Sequence, residues 1–154
     1  MRDLAAIEEL YPLIKEVIEK GGEFRLFPRG TSMEPLIYAG KDSMVLGPVG
    51  KIKKGDVLFY RRKNGAFVIH RLIDRHGKTL TMCGDHQGAL EFGILPEQVI
   101  AKMVGYYKEE VYHSTDEAEY IEYTEKMISR FPFYKRNPAI YQPLKKIKDL
   151  LKRK

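Results

Sequence analysis

The sequence predicts a mainly β fold of the α+β class, in which a compact, barrel-like set of strands is flanked by an N-terminal helix and C-terminal helices. Short β-prone segments separated by Gly- and Pro-rich turns run from residue 24 to residue 107. Outside this region, apolar residues recur at spacings of three and four, which is typical of amphipathic helices. Because the strand and helix patterns do not alternate, a parallel sheet built from β–α units is not expected.

The first element is an amphipathic helix over residues 3–20, which occupies an N-terminal segment of residues 1–22. Asp3 can cap its start and the glycine pair at 21–22 ends it, while Pro12 is expected to kink it or to begin a second piece. Its apolar face consists of Leu4, Ile7, Tyr11, Ile14 and Ile18. We expect this face to cover a sheet.

Six strands are predicted within residues 23–108, the stretch that forms the main domain. Asn64 and Gly65 give a strong hairpin signal just before the fourth strand. The predicted strands are residues 24–27, 43–46, 57–60, 66–73, 79–82 and 99–107.

The C-terminal extension, residues 109–154, is predicted to be helical. A first helix begins at a cap provided by Thr115 or Asp116 and runs to about Arg130. Beyond it the chain is expected to break into short pieces at Pro132, Pro138 and Pro143. The last helix is basic and carries an apolar stripe of Leu144, Ile147, Leu150 and Leu151.

Charge is segregated within this extension. Residues 109–129 hold seven acidic residues and one lysine, whereas residues 130–154 hold nine basic residues and one aspartate. A basic tail can contact anionic lipid, nucleic acid or the acidic block that precedes it. Of these partners we keep a weak contact with an anionic membrane and expect no nucleic acid.

The composition indicates one globular unit. The chain has 154 residues, of which 44% are hydrophobic and 31% charged, and its net charge is +6. No uncharged stretch approaches the roughly 20 apolar residues of a membrane span, and early acidic residues argue against a signal peptide. The single cysteine, Cys83, excludes an internal disulfide and a cysteine-rich zinc module. These features predict a cytoplasmic location, with a peripheral place at the inner membrane face left open by the basic tail.

Three residues at predicted turns or strand ends are of the types used in nucleophilic catalysis. Ser32 lies directly after the first strand, and a serine needs a base within about 3 Å to become a good nucleophile. His70 is a candidate base, and Asp85 could orient an imidazole ring. Each residue also fits an ordinary role, as a turn residue, a satisfied polar group or part of a Gly-Asp turn.

Four sequence blocks, in this order, resemble the signal peptidase I family: GTSMEPLI, IKKGDVLFY, FVIHRLI and CGDHQGALE. That family shares its catalytic domain with the self-cleaving repressors of the bacterial SOS response. The resemblance covers residues 24–107 and implies that Ser32 is the nucleophile. The His-Arg pair is similar to the archaeal and endoplasmic-reticulum type, which implies that His70 is the general base and Asp85 its acidic partner.

The resemblance also implies an extended peptide substrate, bound as an added strand. The edges expected to hold it are residues 25–29 and 67–69. The implied substrate-binding residues are Arg29, Thr31, Met33, Phe67, Val68 and Ile69. No metal or organic cofactor is expected, because the spacing of Cys83, His76 and His86 fits no zinc pattern.

The chain departs from the family in three respects. It has no transmembrane anchor helix, and residues 108–154 match nothing in the family. Gly30 stands where many signal peptidases have a small hydroxyl residue, so an oxyanion hole would need backbone N–H groups such as that of Ser32. Lys53 and Lys54, which could suggest a Ser–Lys dyad, lie in a turn motif and are expected to be solvated.

Together these features predict a serine endopeptidase that cleaves a leader or signal-like peptide. Two alternatives stay open, a peptide-binding or regulatory protein with little turnover and a self-cleaving regulator. The self-cleaving alternative lacks a DNA-binding helix pair in residues 1–22. A histidine base titrates near 6.5, and a neighbouring Asp85 is expected to raise that pKa modestly.

Overall fold

The computed structural model describes residues 6–153, which form an antiparallel sheet and four α-helices. The mainly β, α+β fold is confirmed, and each of the six predicted strands is present. The strands are β1 (Phe24–Leu26), β2 (Ser43–Gly47), β3 (Val57–Arg61), β4 (Phe67–His76), β5 (Thr79–Cys83), β6 (Glu91–Ile94), β7 (Val99–Lys108) and β8 (Val111–Ser114).

The sheet is open. Its strand order is β1-β2-β7-β3-β4-β5-β6, and β8 pairs with β7 beside this path. The two end strands, β1 and β6, do not pair with each other, so the sheet does not close into the barrel-like form that was expected. Both end strands are short, with three and four residues, and offer little edge for closure.

Two strands escaped the sequence prediction because their local patterns are weak. β6 contains Gly93 in the left-handed region at φ 79° and makes only two ladder pairs with β5. β8 lies in the acidic block and begins with two exposed residues, Val111 and Tyr112. The extension from residue 109 is therefore not entirely helical.

The first helix, α1, spans Ile7–Glu19 and buries Ile14 and Ile18 against the sheet. Pro12 lies inside α1 without dividing it, so the expected second piece does not form. The glycine pair ends the helix as predicted: Gly21 has φ 79° and donates its N–H to the carbonyl of Ile18. The expected cap Asp3 lies outside the described residues.

Three helices follow the sheet: α2 (Ala118–Ser129), α3 (Phe133–Arg136) and α4 (Pro138–Lys152). The cap position of α2 is Glu117 rather than Thr115 or Asp116. Pro143 lies inside α4 and does not end it, contrary to the prediction. Among residues 6–153, no helix has both the length and the apolar character that crossing a bilayer requires.

The main core lies between α1, one face of the sheet and the segment that follows β1. Met33, Leu36 and Ile37 of that segment are buried in the same cluster as Ile14 and Phe59. Burial of these three side chains anchors the turn immediately after Ser32. The segment between β1 and β2 is thereby held against the core at the residues that follow the Ser32 hydroxyl.

Candidate active site

A cavity of about 400 Å³ opens between the end of β1, the Ser32 turn and the first half of β4. Ser32 and His70 both line this cavity, so the predicted nucleophile and base share one cleft. Its apolar wall consists of Leu26, Met33, Ile37, Met44, Phe67 and Ile69, and its polar lining includes Arg29, Arg62 and Gln87. The start of α1, at residues 6–8, forms a further wall.

The backbone of Ser32 is held by the loop that follows β5. The N–H of His86 donates a 2.9 Å hydrogen bond to the carbonyl of Ser32. A Cβ atom on Gly84 would lie 2.5 Å from that carbonyl oxygen and 3.1 Å from the Ser32 Cβ. Glycine is therefore required at position 84, because a side chain there would prevent the two loops from approaching so closely.

The turn also presents unused backbone donors. Within residues 6–153, neither the N–H of Ser32 nor that of Met33 donates a hydrogen bond to the protein. Gly30 has φ 84°, a left-handed conformation that turns the chain before the serine. These free N–H groups beside the Ser32 hydroxyl are the kind of donor that stabilises an oxyanion.

His70 lies in β4, where only 6% of its surface is exposed. Its Nδ1 atom is 3.4 Å from the hydroxyl oxygen of Tyr60, and that hydroxyl donates its proton to Glu91. With its proton engaged, the Tyr60 oxygen can only accept a hydrogen bond from the imidazole. This arrangement places the ring proton on Nδ1 and leaves Nε2 unprotonated, as a base acting on a serine requires.

The electrostatic surroundings keep His70 neutral. Burial and, secondarily, the positive charge of Arg62 lower its pKa to about 4, although Glu91 and Asp85 act in the opposite direction. Asp85 does act to raise this pKa, but the net rise that was expected is wrong, because desolvation outweighs the attraction. At neutral pH the ring is ready to accept a proton.

Asp85 forms a buried ion pair with Arg71, the residue next to the predicted base. Nε of Arg71 donates a 2.8 Å hydrogen bond to Oδ1 of Asp85, and Nη2 donates one of the same length to Oδ2. Both side chains are fully buried. Asp85 also accepts a hydrogen bond from Tyr123. Within the described residues it makes no hydrogen bond to His70, whose Nδ1 faces Tyr60 instead.

Helix α2 completes the surroundings of this ion pair. Nη1 of Arg71 donates to the carbonyl of Gly55, to the Tyr120 hydroxyl and to Thr124 Oγ1, at 2.9, 3.2 and 3.0 Å. Burial acts to lower the pKa of Arg71, but the hydrogen bonds with Asp85 and Tyr120 outweigh it and raise that pKa above its usual value. The C-terminal extension, which matches nothing in the signal peptidase I family, thus supplies Tyr120, Tyr123 and Thr124 to the surroundings of the ion pair.

The cleft brings together five of the six predicted substrate-binding residues. Arg29, Met33, Phe67, Val68 and Ile69 line it, whereas Thr31 is exposed and does not. β4 pairs with β3 along 67–71 but with β5 only from Arg71 onward, so 67–70 have no strand on their β5 side. That unpaired edge faces the same cleft, as a site for an added strand requires.

Three other residues considered in the sequence analysis, Lys53, Lys54 and Cys83, do not line the cleft. Lys53 and Lys54 are exposed, as predicted. Cys83 is buried, which raises the pKa of its thiol to about 11 and disfavours a nucleophilic role.

Two important neighbours, Tyr60 and Glu91, were not predicted as site residues. One signal was present for Tyr60, since it follows the apolar run of β3 and a buried tyrosine hydroxyl needs a partner. Glu91 is brought to it by the β5–β6 pairing, which the sequence pattern did not predict.

No protein-family model matches this chain, and no curated protein is significantly similar to it. The structure places Ser32 and a neutral His70 in the lining of one cavity.

Proposed function

We propose that this protein is a serine endopeptidase that cleaves an extended peptide. The observation that carries the proposal is the shared cleft, in which Ser32, a neutral His70 and the unpaired edge of β4 meet. Three of the four blocks that resemble signal peptidase I support it, because Ser32, His70 and Gln87 of these blocks line the cleft.

The proposed reaction proceeds in two steps. His70 Nε2 takes the hydroxyl proton as Ser32 Oγ attacks the scissile carbonyl, and the backbone N–H groups of the turn stabilise the oxyanion. His70 then returns the proton to the leaving amine, so that the peptide bond breaks and an acyl-serine remains. A water molecule deprotonated by the same His70 hydrolyses this ester, which releases the acid and restores the serine.

The neighbours of the base have positioning roles in this proposal. Tyr60 and Glu91 orient the imidazole, which is the role first assigned to Asp85. Asp85 instead fixes Arg71, the residue that follows the base, while its own loop holds the Ser32 carbonyl. One short loop thus links the nucleophile to the strand that carries the base.

The cleft also suggests a class of substrate. Added to the unpaired edge of β4, a peptide would use main-chain hydrogen bonds and insert alternate side chains toward the walls. Its apolar wall favours small or apolar side chains near the scissile bond, as in a leader or signal-like segment.

Labelling by a fluorophosphonate probe tests the proposal without knowledge of the natural substrate. We expect Ser32 to be labelled in the wild-type protein, and we expect no labelling in Ser32→Ala and at least about 10³-fold slower labelling in His70→Ala. Ser129→Ala, at an exposed serine outside the cleft, is the matched control. Labelling that persists in Ser32→Ala would contradict the assignment.

Labelling, together with peptide binding and the mass of the purified chain, also distinguishes the peptide-binding and self-cleaving alternatives. A folded protein that binds extended peptides but is never labelled would be a peptide-binding protein on this fold. A purified chain whose mass falls with time, in a reaction absent from Ser32→Ala, would be a self-cleaving regulator.

A further inference from the structure

Helix α4 is oriented with its apolar side away from the protein. Tyr141 packs against Phe92 of β6, with ring centroids 5.9 Å apart. The groove between α4 and residues 89–92 is lined on the helix side by Tyr141, Gln142, Lys145, Lys146 and Asp149. The side of α4 that faces the body is therefore mostly polar, the reverse of the usual arrangement for a surface helix.

The opposite side carries large aliphatic residues in solvent. At spacings of four, three and four, Ile140, Leu144, Ile147 and Leu151 share one face of the helix, and Leu150 borders it. Their exposed fractions are 38%, 49%, 55% and 67%, and that of Leu150 is 62%. Such a continuous apolar strip indicates a surface that another phase or molecule covers.

The orientation of α4 is anchored at its beginning. Arg136, in the short helix just before it, lies 3.7 Å from the carboxylate of Asp74, and its carbonyl is 2.9 Å from Nε2 of His76. Asn137 then caps α4 by accepting a hydrogen bond from the N–H of Ala139. Together with the Tyr141 contact, these interactions hold the helix with its apolar strip outward.

The positive charges beside the apolar strip of α4 indicate what kind of partner covers it. Lys148 and Lys152 lie along one border of the apolar strip and Lys146 along the other, while Asp149 is the only acidic residue in Pro138–Lys152. Long lysine side chains at such borders can reach phosphate groups while the strip enters the acyl region. A second copy of the helix fits less well, because two facing strips would bring these lysine borders together.

We propose that α4 is an interfacial helix that binds this protein to the surface of an anionic lipid bilayer. The helix would lie in the plane of the headgroups, held by its aliphatic strip and by its lysines. This inference does not depend on the serine chemistry, since it rests only on α4 and its contacts with the body.

Co-sedimentation of the full chain with vesicles tests the inference. We expect binding to phosphatidylcholine vesicles that contain phosphatidylserine, and little binding to phosphatidylcholine alone. High salt should release most of the bound protein, because the Debye length falls from about 10 Å at 0.1 M to about 3 Å at 1 M.

Two variants separate the contributions of strip and charge. Ile147→Ser with Leu151→Ser should abolish detectable binding, and replacing Lys146, Lys148 and Lys152 by Gln should weaken partitioning about 100-fold, at about fivefold per charge. The control for the serine pair is Leu13→Ser with Val111→Ser, which changes two exposed aliphatic residues outside α4. The control for the lysine variant replaces the exposed Lys51, Lys53 and Lys54 by Gln. Both controls should bind like the wild type.

Three results would overturn the inference. The wild type could fail to bind anionic vesicles at low salt, or the serine pair in α4 could leave binding unchanged. The third is a concentration-dependent dimer, without vesicle binding, that the same serine pair dissociates. Circular dichroism melts of all variants confirm that any loss of binding occurs in folded protein.

Discussion

The hydroxyl of Tyr123 donates a 2.8 Å hydrogen bond to Oδ2 of Asp85, and this contact joins α2 to the loop that holds Ser32. The contact is partly buried, and Asp85 is at the same time the bidentate partner of Arg71. A residue of the C-terminal extension therefore contributes to the position of a motif that lies 38 residues earlier in the chain.

Tyr123→Phe is expected to lower stability by about 1.5–3 kcal/mol, because a buried carboxylate loses a charge-assisted hydrogen bond. Fluorophosphonate labelling of Ser32 should slow by less than tenfold, since Arg71 still holds Asp85. Urea unfolding and labelling rates measure the two effects. Tyr134→Phe, at a half-exposed tyrosine, should change neither, and an unchanged stability in Tyr123→Phe would refute the role of this bond.

Tyr60→Phe should slow labelling of Ser32 about tenfold or more while leaving the fold intact. The substitution removes the oxygen that accepts from His70 Nδ1, so the ring loses the partner that sets its tautomer. Burial and Glu91 raise the pKa of Tyr60 above its ordinary value, so the hydroxyl stays protonated and the effect should be constant across neutral pH.

Tyr38→Phe provides the control for this prediction, because Tyr38 is exposed and does not line the cleft. Equal labelling rates in Tyr60→Phe and in the wild type would show that the imidazole is oriented by another group.

The labelling rate should rise with pH through a limb centred near 4 and stay flat across neutral pH, because only neutral His70 accepts the serine proton. Arg62→Gln should move that limb to higher pH, since it removes a charge that disfavours the imidazolium and leaves Glu91 without its ion pair. A pH series of labelling rates measures both limbs. A wild-type limb at 6.5 or above would contradict the desolvated environment of His70.

Stability should depend on the same proton. The folded-state pKa of His70 lies below its unfolded value, so the unfolded state binds the proton more tightly between pH 6.5 and 4. The free energy of unfolding is therefore unaffected by this proton above pH 6.5. It decreases as the pH falls, by on the order of 3 kcal/mol between pH 7 and pH 4. Comparing unfolding of the wild type and His70→Asn at both pH values isolates this term, and identical pH dependence would exclude it.

Gly84→Ala should sharply reduce both stability and labelling, because the new methyl group would meet the backbone carbonyl of Ser32 at 2.5 Å. Gly88→Ala is the control four residues later, since a Cβ there meets nothing within 4 Å. Thermal unfolding and labelling rates of the two variants give the comparison. Equal behaviour would mean that the two loops separate readily.

Six of the eight strands could be predicted because apolar runs and turn residues are local signals. Ser32 and His70 were singled out because the sequence blocks that contain them resemble a known family. The partner of Asp85 was harder to predict. Arg71 stands in the apolar run of β4, and a buried arginine demands acceptors, but sequence alone does not say which. Tyr120, Tyr123 and Thr124 recur at helical spacing, yet their target is more than 30 residues away.

The pairing of Tyr60 with Glu91 could not be predicted for a related reason. It depends on register shifts in the β4–β5 and β5–β6 pairs, where single-residue irregularities decide which side chains face one another. The low pKa of His70 likewise follows from burial, which spacing along the chain does not reveal.

The hydrogen bonds from Arg71 to α2 also determine how far the chain can be shortened. Ending the protein at residue 108, where the sequence pattern changes, would remove two acceptors from a fully buried guanidinium and one donor from its carboxylate. It would also strip Phe131 from the small apolar cluster that it forms with Ile73 and Cys83. These contacts tie α2 and Phe131 to the sheet, so a chain that ends at residue 108 is expected to be markedly less stable than one that ends after Phe131.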